Sequence, residues 1–237
     1  MTVPLSGQQN FMDRFGQEIV DGVLTPGTVL RTEELQERYE ATRSVAREGI
    51  KGLQALGLVA VTRNVGVRIR RPGHWNVFDP RVLHWRLNGP QRASQLLLIT
   101  EFRLGVEPIA ARLAAQRISA SGGQQLMECA GDLLAAGNAG RQKAFLEADI
   151  AFHRMILRAS QNEMFAHLHE AVGEVLSGRT EHHLQPQHPH SSALHWHLGV
   201  ADAIQRGDAG QAEEQMRKIV LQANEEMRAD LGLLGDD

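Results

Sequence analysis

The sequence predicts a mainly α protein in two parts: three helices closed by a β-hairpin, followed by an antiparallel all-α bundle. Three observations carry this. Apolar residues in the first part recur at helical spacing, in segments split by Gly22, Pro26, Gly27 and Gly57. The stretch "VAVTRNVGVRIRR" then alternates valine and isoleucine with polar residues. From Ser94 onward strand signals are scarce, and alanine, leucine, glutamate and glutamine dominate.

Between Gln8 and Val23, Phe11, Phe15, Ile19 and Val23 recur every four residues and mark one stripe of a first helix. A second fits "RTEELQERYE", with Thr32 as its expected cap and Glu33 and Glu34 at its positive end. The third fits "ATRSVAREGIKGLQALGLV", with Val45, Ile50, Leu53 and Leu56 inward and Gly57 as its stop. The hairpin turns around Asn64 and Gly66. Three helices and a hairpin make a winged helix-turn-helix over residues 1–71. In that geometry the third helix enters the major groove of DNA, with Thr42, Arg43, Ser44 and Arg47 at base edges and phosphates. Arg63 and Asn64 flank the hairpin tip, and Gly66 is expected to let it approach the DNA backbone closely.

Charge points the same way. The net charge is −3, yet residues 42–71 hold seven Lys/Arg against Glu48 alone. Such a local excess is what a phosphate-facing surface needs. A single cysteine, Cys129, forms no internal disulfide and is expected in helix packing. No apolar run approaches a membrane span and the first residues lack signal-peptide order, so the expected location is cytoplasmic, with no membrane partner.

Residues 72–91, "PGHWNVFDPRVLHWRLNGPQ", are expected to be an ordered linker, because Trp75, Phe78 and Trp85 are rings that pack at junctions. Residues 92–237 are expected to form the bundle, with helices near 92–117, 120–137, 140–160, 162–178, 191–206 and 208–231 and breaks at glycines that include Gly122.

Two constellations in the bundle carry chemistry. Arg103 and Glu107 lie four apart on a face shared with Ala110, Ala111 and Ala114, and charges on a face of small residues point into a cavity or form a surface ion pair. Asp149 and His153, also four apart, share a stripe with Phe152 and Ile156, a spacing that chelates a metal from successive turns. A third ligand is sought in "EHHLQPQHPHSSALHWH", which holds six of the eleven histidines. Helical register selects His197, on the inner stripe with Val200, Ala201 and Ile204, while His195 points about 160° away. His182, His183, His188 and His190 surround two prolines, and these four and His195 are expected to be dispensable for sensing.

The segment "PGTVLRTEELQERYEATRSVAREGIKGLQALGLVAVTRNVGV" resembles the winged helix of the GntR family. Its 27–35 loop is a residue short, and Arg31 stands where the family more often has Pro or Ser; a phosphate or base contact is expected of it. The second part, with E-x-R-x-x-x-E-P, D-x-x-x-H, Asn162 and H-x-x-x-x-x-A-I-x-x-G-D, resembles the FCD ligand-binding domain of the FadR branch. The linker's WN-x-x-D-x-x-V-L-x-W resembles that of galactonate-responsive members. Carried over, the resemblance implies metal ligands at Asp149, His153 and His197 and an effector-carboxylate arginine at Arg103, with Glu107 beside it. The metal is divalent, with zinc expected. The family's further histidine, twenty-two positions after His197, is here Ile219.

The implied function is a transcriptional repressor: a homodimer on a palindromic operator, released by a small carboxylate such as galactonate or gluconate bound beside the metal. The alternative is a metal-dependent hydrolase or lyase with a DNA-binding appendage, for which Glu107 is the one nearby general base. A DNA-bridging protein with an inert bundle is the third reading.

Overall fold

Phe11, Met12, Phe15 and Ile19 line one side of helix α1 (Gly7–Val20) and are buried. The computed structural model describes residues 7–181 and 191–230, and the chain divides into two compact units, Met1–Arg92 and Ala93–Asp237. Helix α1 ends before the last member of its expected stripe. Val23 lies beyond it and is 62% exposed, and Leu24 turns inward instead.

Helix α2 (Thr32–Arg38) starts one residue earlier than the expected cap requires. Arg31 occupies the cap position in extended conformation, and its backbone N–H donates to Glu34 Oε2 at 2.6 Å. Glu34 therefore does what Thr32 was expected to do, satisfying a free donor at the helix start. Helix α3 (Arg43–Ala55) is capped by Thr42, whose hydroxyl oxygen accepts from the Val45 N–H at 3.3 Å. The rings of Phe11, Phe15 and Tyr39 pack together, with centroids 5.3–5.8 Å apart, and the Tyr39 hydroxyl donates to Glu18 at 2.9 Å. Thus the one polar atom this aromatic cluster buries has a partner.

Strands β2 (Val59–Thr62) and β3 (Gly66–Ile69) form the expected antiparallel hairpin, with Val59 opposite Ile69 and Thr62 opposite Gly66. A two-residue strand β1 (Val29–Leu30) adds to β3, giving the order β1-β3-β2. Two residues are too short for any alternation to show in sequence.

The 72–91 segment holds a 3-10 turn at Pro72–His74 and helix α4 (Pro80–Asn88), and lies within the first unit. Asp79 caps α4 through the Arg81 N–H. Trp85 is buried against α1, where Gly16 makes room for it: a Cβ there would lie 2.5 Å from the ring. Trp75 donates its indole N–H to the Arg70 carbonyl at 3.3 Å. Phe78, expected to pack with these rings, is half exposed.

The second unit consists of α5 (Arg92–Arg117), α6 (Ala120–Asn138), α7 (Gln142–Ala159), α8 (Glu163–Ala166), α9 (His169–Glu181), α10 (Ser191–Gln205) and α11 (Ala209–Asp230). Gly122 does not break a helix. It sits in the first turn of α6 and donates its N–H to the capping Ser119 hydroxyl at 3.1 Å. The helix expected over 162–178 is two helices, α8 and α9, the first capped by Asn162 through the Met164 N–H. Helices α6, α7, α10 and α11 pack around a core that includes Leu126, Leu133, Phe152, Val200, Ile204 and Met216. Cys129 is half-buried beside the Ala148 carbonyl, and burial pushes its thiol up to about 11. None of the described helices is long and apolar enough to cross a membrane.

Candidate functional site

In the first unit, Arg43, Ser44 and Arg47 lie exposed on the opening turns of α3. The Arg47 side chain is 70% exposed and loosely paired with Glu48 at 3.4 Å, a contact that water screens. Thr42 spends its hydroxyl oxygen on the cap yet stays at the surface. Arg31 at the start of α2, and Arg63 and Asn64 at the hairpin turn, are exposed as well. Asn64 adopts φ 63°, a left-handed turn position that asparagine tolerates. Gly66 has an internal reason to be glycine. At φ 124°, a Cβ there would lie 2.6 Å from the Leu30 carbonyl oxygen, so the glycine admits β1 to the sheet.

In the second unit, Arg103, Glu107, Asp149, His153 and His197 come together in the interior. Each is at most 8% exposed. The surface-pair reading of Arg103 and Glu107 therefore fails: both side chains are 1% exposed, with Arg103 Nε donating to Glu107 Oε1 at 2.6 Å and Nη2 to Oε2 at 3.3 Å. Glu107 Oε2 also lies 2.7 Å from His153 Nδ1, close but off the line of a well-directed hydrogen bond. Beyond the ring, His153 Nε2 lies 3.3 Å from Asp149 Oδ1, and the same oxygen is 3.2 Å from His197 Nε2. The Phe152 ring meets both imidazoles edge-on, with centroids 5.8 and 5.1 Å away, and restricts their rotamers.

Hydrogen-bond chemistry says what this set is built to hold. His197 Nδ1 is 2.7 Å from the Ala193 carbonyl oxygen, which only accepts, so Nδ1 carries the proton and donates. In the neutral ring, Nε2 is then a bare acceptor facing a carboxylate oxygen. His153 turns its Nδ1 toward Glu107 and its Nε2 toward the same Asp149 oxygen. Acceptors facing one another in a buried site need a cation between them. One donor atom from each of Asp149, His153 and His197 lies within 4.8 Å of the others. Two imidazoles and one carboxylate match the donor set that zinc takes, and the outer partners at Ala193 and Glu107 fix the ring orientations. These residues fit a divalent metal.

Charge perturbations follow from the same contacts. Burial alone would raise Glu107, but Arg103 and His153 hold it down to about 2. Burial would likewise raise Asp149, yet the two imidazoles hold it well below the usual carboxylate range. Burial would lower His153, whereas Glu107 and Asp149 push it up to about 9. Without a metal, the cation His153 holds at neutral pH is a proton.

Arg103, Asp149, His153 and His197 line a pocket that encloses about 490 Å³ of space free of protein atoms, open solvent at its mouth included; Glu107 stands behind Arg103 and His153 rather than on its wall. Ile219, at the position where the resemblance implies a further histidine, lines it with hydrocarbon. Three further polar or charged lining residues escaped the sequence reading: Arg179 on α9, and Gln222 and Glu226 on α11. The last two sit three and seven positions after Ile219, so extending that helical stripe would have found them. Arg179 had no such signal. His195 is exposed, while His182, His183, His188 and His190 lie outside the described residues.

A winged helix-turn-helix with a basic third helix, joined to a helical unit that encloses an arginine and a metal-type donor set, is the arrangement of a DNA-binding regulator. Residues 8–69 match the model for bacterial regulatory proteins of the gntR family, and residues 98–222 match the FCD domain. The chain belongs to the GntR family of transcriptional regulators and carries an FCD domain. Among its relatives, the galactonate operon transcriptional repressor of Escherichia coli is 28% identical over 90% of this chain and 93% of its own length. The HTH-type transcriptional regulator LutR of Bacillus subtilis is 30% identical over 67% of this chain and 70% of its own. The fold is shared with the solved Streptococcus agalactiae GntR, at a TM-score of 0.51 and 23% identity over 92% of this chain and 99% of that one. These families and relatives are regulators of transcription, not enzymes.

Proposed function

We propose that this protein is a repressor that binds a palindromic operator as a homodimer and is released by a small sugar acid. The α3 residues Thr42, Arg43, Ser44 and Arg47 contact the major groove, while Arg31, Arg63 and Asn64 hold the flanking phosphates. Arg103 takes the carboxylate of the acid in the buried cavity, and Asp149, His153 and His197 hold a divalent metal, zinc in the first instance. The metal supplies a fixed positive centre for oxygens of the ligand. The galactonate repressor's likeness to this chain over nearly its whole length favours an aldonic acid such as galactonate.

The observation that carries the ligand reading is the buried run from Arg103 through Glu107 to His153 and Asp149, since so many ionisable groups inside a bundle are costly without a function. The hydrolase reading loses ground on the same contacts. Glu107, its candidate general base, has both oxygens engaged by Arg103 and His153. Ligand binding acts on the operator as a difference in DNA affinity between two states.

The test is an operator-release assay on metal-loaded protein. D-galactonate or D-gluconate should lower affinity for the promoter DNA of the protein's own operon, and Arg103→Lys should abolish the response while leaving DNA binding intact. Release that persists in Arg103→Lys would count against this assignment.

A further inference from the structure

Arg179 lines the cavity from α9 and is 6% exposed. Its Nη2 donates to Glu226 Oε2 at 3.2 Å, whereas its Nε is buried with no hydrogen-bond acceptor among the described residues. A buried N–H left without an acceptor is a cost that native structures rarely carry, so this donor calls for an oxygen that the described residues do not supply. Gln222, one turn before Glu226 on α11, donates its Nε2 to Glu226 Oε1 at 3.0 Å. Both Glu226 oxygens are thereby engaged. Gln222 keeps its amide oxygen as an acceptor in the wall of the same cavity.

The charge of Arg179 is already matched by Glu226. A second carboxylate or a phosphate brought to Arg179 would come up against that glutamate and meet like charge in a poorly solvated site. What Arg179 still offers is direction rather than charge, through the buried Nε–H that no described residue accepts. A hydroxyl group suits it, because it accepts from Nε and has a proton left to donate to Gln222 or Glu226. Arg103 differs, since the carboxylate beside it, Glu107, is shared with His153.

We propose that Arg179, held by Glu226 and Gln222, reads a hydroxyl of the same acid whose carboxylate Arg103 takes, and that the effector is a monoanionic polyhydroxy acid rather than a dicarboxylic or phosphorylated one. This rests on the cavity being the effector site. It adds a specificity residue and selects one chemical class within the sugar acids.

Calorimetric titration of the full-length, metal-loaded protein tests it with D-galactonate, which has one carboxylate, and galactarate, which has two. Wild type should bind galactonate at least about tenfold more tightly than galactarate. Arg179→Lys keeps the charge but not the directed Nε–H, and Gln222→Leu removes the neighbouring amide; each should weaken galactonate binding roughly tenfold or more. Thermal midpoints check folding, and Gln222→Leu decides the matter should Arg179→Lys not fold. Galactarate binding as tightly as galactonate, or galactonate affinity unchanged in the folded variants while Arg103→Lys loses it, overturns the hydroxyl assignment alone. Absence of binding by either acid to wild type overturns it together with the effector reading.

Discussion

His197 Nδ1 donates to the carbonyl of Ala193, one turn earlier on α10, at 2.7 Å. This single bond turns Nε2 toward Asp149, the orientation that the proposed metal site needs. Removing a ligand should therefore cost metal without costing the fold. In tag-free protein, His197→Ala and Asp149→Asn should each reduce bound zinc from about one per chain to a small fraction, measured by elemental analysis, because three protein ligands leave little redundancy. Full occupancy in both variants would place the metal elsewhere.

His153 gives the pH dependence. In metal-free protein its pKa is pushed up to about 9, against the 6.5 of an unperturbed histidine, so at neutral pH a metal must displace a proton. Apparent zinc affinity should thus rise by up to tenfold per unit from pH 7 to 9 and level off above, as read by competition with a chromophoric chelator. The folding contribution has the opposite sense. A raised histidine pKa stabilises the metal-free protein fully below pH 6.5, and this is lost as pH rises through 9. The thermal midpoint of chelator-treated protein should fall over that window, and bound zinc should remove most of the fall.

Much of this site was legible because helices repeat. Asp149 and His153, and Arg103 and Glu107, announce themselves by four-residue spacing, and register alone separates His197 from His195. Spacing within one helix says nothing of what faces it. That Glu107 joins Arg103 to His153 depends on α5 and α7 meeting, and that Arg179 closes on Glu226 depends on α9 and α11 meeting. In the first unit the hairpin was read from its alternation. The exchange of capping roles between Thr32 and Glu34, and the packing of Trp85 over Gly16, were hidden because each is set by a neighbour that no local pattern shows.

Glu107 should be the least replaceable residue of the second unit. Glu107→Gln leaves the Arg103 guanidinium, 1% exposed, without its countercharge. Breaking a buried pair from one side costs roughly 3–5 kcal/mol. Denaturant unfolding should show a loss of that order, together with a lower His153 pKa by NMR, since Glu107 is the larger of the carboxylate influences raising it. A loss below about 1 kcal/mol would mean that Arg103 has another partner in solution.

Gly57 marks the turn from α3 into the hairpin, at φ 79°, with the His74 carbonyl oxygen against the place a Cβ would occupy. Gly57→Ala combines left-handed strain with a backbone collision, and strain alone is worth about 1–3 kcal/mol. Chemical unfolding should show at least that loss. Operator affinity should fall with it, because the Leu58 N–H and carbonyl just beyond the turn bond to Leu53 and Arg70 and tie α3 to the wing.

Arg43 and Arg47 test the DNA-reading face without touching stability. Both are exposed, and the weak contact of Arg47 with Glu48 contributes little, so alanine at either position should leave the thermal midpoint within about 2 °C. Operator binding separates their roles. A base-reading arginine lost should cost roughly 1–3 kcal/mol at the cognate site and little on random DNA. Loss of a phosphate contact should weaken binding to both and reduce the salt slope by about one unit. Arg63→Ala, at the hairpin turn, is expected to follow the phosphate pattern. Fluorescence anisotropy across a salt series, on cognate and scrambled duplexes, distinguishes the two outcomes. Unchanged affinity in both α3 variants would mean that this helix is not the one in the groove.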